Sequence, residues 1–397
     1  MANIQDYLKW RGDLPFSVDP FHEVDNLILS LISYVDFDGL VSESGVERFS
    51  LKEIADKYFA IHTEEELKAR KTFIRFAPFI FQEAAATNRF GSLLISDYVN
   101  LVEEKSEIQL SAVTFWLPDG TAYVAFRGTD DTLIGWKEDF NLSFMAETEG
   151  QRLAVNYLNC HFAGTATPLR VGGHSKGGNL AVYASAFASP AVQDYIQVIY
   201  SNDGPGLKEE LTLTEGYRKI LPRIISTVPE DSIVGLLLSS EAQNHVVKSS
   251  ASGIAQHDAT TWEVLGNRFV EAKERSAFSQ YFEKTLRKWI GGLGDEERAT
   301  FTESLFELLS AGGASTLTDI KNNRTFLVDV LKKAASMPKG EWQEFQGMLT
   351  KLFQIGTDMV KEEIAGSSIG KKLPLPKNGS GSDAANNGQV CDEVPVL

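Results

Sequence analysis

The sequence predicts an α/β protein in which a mainly parallel sheet carries helices on both faces, preceded by N-terminal helices and followed by a C-terminal helical unit. Three observations carry this reading. Short β-rich runs alternate with helical patterns between about residues 107 and 250, the arrangement that builds parallel strands with crossover helices. One of those runs enters the tight turn Gly173-His174-Ser175-Lys176-Gly177 and leaves it as an Ala-rich helix. Before and after this region the apolar residues recur at spacings of three and four, which is the helical period.

Phe21, Val24, Leu27, Ile28, Leu31, Ile32 and Val35 mark an amphipathic helix with one face to bury. Residues 50–59 and 63–86 read as two further helices, the second opened by Thr63-Glu64-Glu65-Glu66, a cap followed by acids that suit the helix dipole. Residues 107–116 and 121–126 are strand-like and joined by Pro118-Asp119-Gly120, the punctuation of a hairpin. The second strand ends in Arg127-Gly128-Thr129-Asp130-Asp131, and a helical pattern at 149–162 leads to the strand before Ser175. Strands are expected again at 195–201, 223–228 and 244–248. Beyond Arg275 the pattern is helical throughout, and from Gly366 onward Gly, Ser, Pro and Asn dominate, which reads as a flexible tail. The expected division is an N-terminal helical segment at 1–89, an α/β core at 90–270, a helical unit at 271–365 and a tail at 366–397.

The chain has 397 residues, a hydrophobic fraction of 43% and a charged fraction of 23%, values of an ordinary globular protein rather than a disordered one. A net charge of −16 repels phosphate backbones and anionic lipid surfaces, so nucleic acid is not an expected partner. No run reaches the ~18 apolar residues of a membrane span. The opening residues lack a basic segment followed by an apolar core. The expectation is a cytoplasmic protein without stable membrane insertion. Cys160 and Cys391 are too few and too differently placed for a disulfide or metal site. No phosphate-binding loop, dinucleotide fingerprint or metal-ligand spacing is present, so no cofactor is expected.

The pattern Gly173-x-Ser175-x-Gly177 is a nucleophile elbow, in which a strained turn projects a serine hydroxyl from the end of a strand. Gly178, Ala181, Ala184, Ser185 and Ala188 give the following helix a slim face that can approach the sheet. Acyl transfer needs three more parts: a base, an acid that orients it, and donors facing the developing oxyanion. His257, in a loop after the last core strand, is the favoured base. His245, inside an apolar strand, is the rival and is expected to be a buried structural imidazole. His174 is expected to point into the packing, and His22, His62 and His161 belong to helices. Asp231, after a β-rich run and before His257, is the favoured acid, giving the chain order serine, acid, histidine that α/β-hydrolases use. Asp203 competes, but its glycine-proline turn offers its side chain a local backbone partner. The oxyanion donors are expected to be the backbone N–H of Lys176 and a group of Thr129.

Four ordered blocks, Val124-Ala-Phe-Arg-Gly-Thr-Asp130, Trp136 with Asp139, Gly173-His-Ser-Lys-Gly-Gly-Asn-Leu-Ala181, and Pro229-Glu-Asp-Ser-Ile-Val234, resemble the signature of class 3 lipases. The chain is more similar still to their bacterial lipase-like relatives, the Mbeg-like family, over about residues 20–265. This resemblance implies an α/β-hydrolase fold with Ser175 as nucleophile, Asp231 as acid, His257 as base and Thr129 in the oxyanion hole. Lys176 departs from the leucine usual in class 3 lipases and is expected to place a cation beside the site. The function expected is therefore a serine hydrolase that cleaves a small-molecule carboxylic ester through an acyl-enzyme. A thioesterase or amidase would use the same residues, and a catalytically silent binding or scaffold protein is the alternative from another class.

Overall fold

The computed structural model describes residues 1–366 apart from 44–46, 71, 73, 104–107, 131, 317–318, 321–322 and 324, with side chains to residue 359. Eight strands form one mixed sheet in chain order: β1 (Phe49–Ser50), β2 (Leu94–Glu103), β3 (Ile108–Trp116), β4 (Ala122–Phe126), β5 (Leu169–His174), β6 (Ile196–Asn202), β7 (Ile224–Pro229) and β8 (Asn244–Val247). The first four pair antiparallel, and β4 to β8 run parallel. The expected hairpin forms: Trp116 pairs with Ala122 across a turn in which Gly120 takes φ +82° and Asp119 Oδ1 accepts from the Thr121 N–H and hydroxyl.

Alternation along the central strands splits the interior in two. Tyr123 and Ala125 face the N-terminal helices, while Ala122, Val124 and Phe126 face the helices Glu149–Phe162 and Lys176–Phe187. The sheet is thus covered on both sides, as its parallel strands require. The helix Glu23–Ile32 is buried from Val24 to its end, and each buried Leu or Ile contributes roughly 1.5–3 kcal/mol. It also brings polar groups into the core, all of them paired. Asn26 Nδ2 donates to Asn202 Oδ1 at 2.9 Å, and Tyr123 Oη donates to Asn26 Oδ1 at 2.7 Å. Asn202 Nδ2 in turn reaches the Gly173 carbonyl at 3.1 Å, which fixes the ends of β5 and β6 against each other. Asp25 takes two bonds from the fully buried Arg89 guanidinium, at 2.7 and 2.6 Å.

Several elements differ from expectation. Residues 63–86 form two helices, Glu64–Ala69 and Ala77–Ala85. Arg70 leaves helical geometry at ψ 124°, and Pro78 begins the second helix, where its missing N–H costs nothing. The helix Ile4–Arg11 and the strand β2 were not foreseen. In β2 the alternation is broken at Asp97, which takes φ 56° where the register shifts between Ser96 and Val99.

The C-terminal helices Ala277–Gly291, Asp295–Leu309, Phe326–Ser336 and Lys339–Gly366 bring together a third apolar cluster that includes Trp289, Phe301, Phe345 and Met348. Ser276 caps the first and three acids open the second. Phe306 packs edge-on against Phe140, and Arg298 Nη1 donates to the Ser143 carbonyl, so these helices brace the helix Leu133–Asn141. Met1–Ile355 forms one compact unit. No helix among the described residues is long and apolar enough to cross a membrane. The tail expected from 366 onward lies outside the described residues, Gly366 excepted.

Candidate active site

Ser175 sits between β5 and the helix Lys176–Phe187 with φ 59° and ψ −132°, a conformation that costs a non-glycine residue about 1–3 kcal/mol. The turn is held from both sides. Ser175 N donates to Asn202 O at 3.0 Å, and Ser175 O accepts from Gly178 N at 2.9 Å. The flanking glycines are steric necessities: a Cβ on Gly177 would collide with the Phe126 carbonyl, and one on Gly173 with the Gly177 backbone.

His257 reaches this serine from the short helical turn Gly253–His257 that follows β8. Its Nε2 lies 3.0 Å from Ser175 Oγ and its Nδ1 2.6 Å from Asp203 Oδ2. A carboxylate can only accept, so the Nδ1 proton belongs to that bond and the Nε2 lone pair faces the serine hydroxyl. Asp203 is fully buried, and its other oxygen accepts from Ser232 Oγ and Gly235 N. The arrangement suits transfer of the serine proton to an oriented imidazole.

The carboxylate against His257 is therefore that of Asp203 and not of Asp231, which corrects the expected pairing. Asp203 immediately follows β6, the strand directly beside β5, whereas Asp231 follows β7, one strand further out. Asp231 has another task. Its Oδ2 accepts from Gly253 N at 2.7 Å and Gln256 Nε2 at 3.0 Å, and Gln256 Oε1 accepts from Asp231 N at 2.8 Å. Trp262 Nε1 adds a bond to the Gln256 carbonyl at 2.8 Å. The loop bearing His257 is thus tied down immediately before the imidazole.

His174 contributes more than packing. Its ring lies 4.8 Å from that of His257 between centroids, and its Nε2 lies 2.9 Å from the His257 carbonyl. Nε2 must donate there, which leaves Nδ1 to accept from Tyr34 Oη at 3.1 Å. Burial, and then the neighbouring His257, push this imidazole down to about 3, so it stays neutral. His245 is solvent-exposed rather than a buried structural imidazole. His22, His62 and His161 are occupied by Asp19 and Asp25, by Glu66 and by Asp97, respectively.

Of the expected oxyanion donors, Lys176 is the first residue of its helix, where a backbone N–H has no intrahelical acceptor. Gly128 packs against Ser175 Cβ, which brings the Arg127-Gly128-Thr129 segment to the serine. The Thr129 hydroxyl donates to Asp139 Oδ2 at 2.6 Å, so its proton is committed and the backbone N–H is the group left to serve an oxyanion. Burial raises the Asp139 carboxyl to about 6, against the opposing influence of Lys176 and Thr129. The Lys176 side chain does not place a cation beside the serine. Its Nζ is buried on Glu138 Oε2 at 2.8 Å and on the Gln109 carbonyl at 3.2 Å. Among the described residues no cluster of three or more His, Cys, Asp or Glu side chains is arranged to hold a metal ion.

Asp203, the weaker of the two expected acids, holds the imidazole, and the contacts of His174, Tyr34 and Asp231 that fix the His257 loop were not foreseen. A signal was present for His174, since a polar side chain set between Val171-Gly172-Gly173 and the elbow serine calls for a partner. Taken together, this is an α/β protein with a hydrogen-bonded serine, histidine and aspartate gathered where β5, β6 and the loop after β8 meet. The chain belongs to the Mbeg1-like family, whose model matches residues 84–307, more than half of its length. No curated protein matches it.

Proposed function

We propose that the protein is a serine hydrolase of α/β-hydrolase type, related to class 3 lipases, that cleaves carboxylic esters through an acyl-enzyme. The observation that carries the reading is the continuous bond path from Ser175 Oγ through His257 to Asp203, on a serine held in strained geometry. Ser175 Oγ attacks the ester carbonyl carbon as its proton passes to His257 Nε2, and the imidazolium is stabilised by the Asp203 carboxylate. The carbonyl oxygen, now anionic, is received by the backbone N–H groups of Lys176 and Thr129, each such donor contributing roughly 3–4 kcal/mol to the barrier reduction. Collapse expels the alkoxide, which takes the proton from His257. Water then gives a proton to His257 as its oxygen attacks the acyl carbon; the bond from that carbon to Ser175 Oγ breaks, Oγ takes the proton back from His257, and the carboxylic acid is released.

Thioesters and amides would pass through the same steps, so the leaving group is a matter for substrate comparison. The exposed, unpaired Cys160 fits a reducing, cytoplasmic setting. The test is a panel of p-nitrophenyl esters of increasing acyl length, with thioester and anilide counterparts, on the wild type and Ser175→Ala. Turnover that is lost in Ser175→Ala supports the reading. A well-folded wild type that turns over none of them would move the protein to a binding or scaffold role.

A further inference from the structure

A cavity of about 230 Å³ opens beside the segment that follows β4, with Tyr34, Asp36, Arg70, Arg75, Arg127 and Asp130 among its lining residues. Ser175, His257 and Asp203 do not line it. Arg127 faces this space while only 6% exposed, and among the described residues neither its Nε nor its Nη2 has a hydrogen-bond partner. The Asp130 carboxylate is the charged group beside it, but its Oδ2 stands 4.0 Å from Nη2 and its Oδ1 is taken by the Thr132 N–H and hydroxyl.

A buried guanidinium without acceptors is unfavourable, because its desolvation is uncompensated. What satisfies it best is a planar or tetrahedral oxyanion offering two oxygens to the fork of N–H groups. Arg70 is half-buried, with Nη2 3.6 Å from Glu66 Oε1, and Arg75 is exposed at the rim. Among the lining residues the guanidinium groups of Arg70, Arg75 and Arg127 outnumber the carboxylates of Asp36 and Asp130, with Glu66 offsetting Arg70 from outside the cavity, in a chain whose net charge is −16. The volume is below the roughly 300–1,000 Å³ of pockets for drug-sized ligands, which suits a small anionic group and not an acyl chain.

We propose that this cavity binds the phosphate or carboxylate group of a small molecule, with Arg127 as the buried fork and Arg70 and Arg75 closing on it from the rim. The site is distinct from the ester chemistry and does not rest on it. Isothermal titration and thermal melting of the full chain with inorganic phosphate and with succinate, against sodium chloride at matched ionic strength, test it. Saturable binding is expected, with a melting temperature that climbs with ligand concentration. Affinity should fall at least tenfold in Arg127→Gln and in Arg70→Gln/Arg75→Gln, and the stronger of the two anions identifies the group. If neither anion acts beyond sodium chloride, the proposal is overturned. Where Arg127→Gln does not fold, the rim variant decides: unchanged binding in it overturns the proposal, and weakened binding upholds it. Because Ser175→Ala should bind the anion as the wild type does, loss of the hydrolase reading would leave this result untouched.

Discussion

Asp203 and His257, 54 positions apart in the chain, meet at 2.6 Å through the Nδ1–H bond, and the orientation of the imidazole toward Ser175 depends on that contact. In Asp203→Asn the amide can donate to Nδ1, which moves the ring proton to Nε2 and removes the lone pair facing the serine. We expect kcat for an ester substrate to fall by roughly four orders of magnitude. Asp231→Asn should instead cost about 1.5–3 kcal/mol of stability, the worth of hydrogen bonds to a charged group, with far less change in kcat. Ester kinetics and urea melts on the two variants check this, and equal losses of kcat would contradict it.

The backbone of Ser175 stores strain that only glycine relieves. Ser175→Gly is therefore expected to be more stable than Ser175→Ala by about 1–2 kcal/mol, since both lose the hydroxyl but only alanine keeps the cost of φ 59°. Paired urea denaturation curves measure the difference. Alanine equal to or above glycine would show that the turn is unstrained.

His174 makes folding sensitive to acid. Its folded-state value, about 3, lies below that of an unfolded histidine, roughly 6.5, so the unfolded chain binds the proton first. Its stability contribution is fully present above about pH 6.5 and is lost as pH falls toward 3, by at most about 1.4 kcal/mol per pH unit. Asp139 runs the other way: its raised value, about 6, means a contribution lost as pH rises from the ordinary carboxyl range through 6. Unfolding free energies of wild type, His174→Asn and Asp139→Asn across pH 4–7 separate them. The slope should flatten in His174→Asn and steepen in Asp139→Asn.

Lys176 and Glu138 form a buried pair, at 1% and 3% side-chain exposure. Lys176→Met leaves the Glu138 carboxylate without its cation and should cost about 3–5 kcal/mol. Chemical denaturation checks the magnitude. A loss below 1 kcal/mol would contradict a stabilising role for the pair.

The parts of the site written as local patterns were readable in the sequence. The Gly173-x-Ser175-x-Gly177 turn, the hairpin at Pro118-Asp119-Gly120 and the loop position of His257 each carry a steric or topological signature over a few residues. The choice of acid was not readable. Asp203 and Asp231 both follow β-rich runs, and what separates them is that β6 lies against β5 while β7 does not, a fact of strand order across the sheet. The direction of the Lys176 side chain likewise depended on Glu138, 38 residues earlier. Strand β2 escaped because the irregularity at Asp97 interrupts the period of two by which strands are recognised.

The proposed chemistry depends on Ser175 being an activated nucleophile. Incubation of the full chain with a fluorophosphonate, followed by peptide mass mapping, should give one stoichiometric adduct on Ser175, abolished in His257→Ala. A folded wild-type protein that stays unlabelled, or one labelled on Ser175 as fast without the imidazole as with it, would show that His257 does not activate this serine.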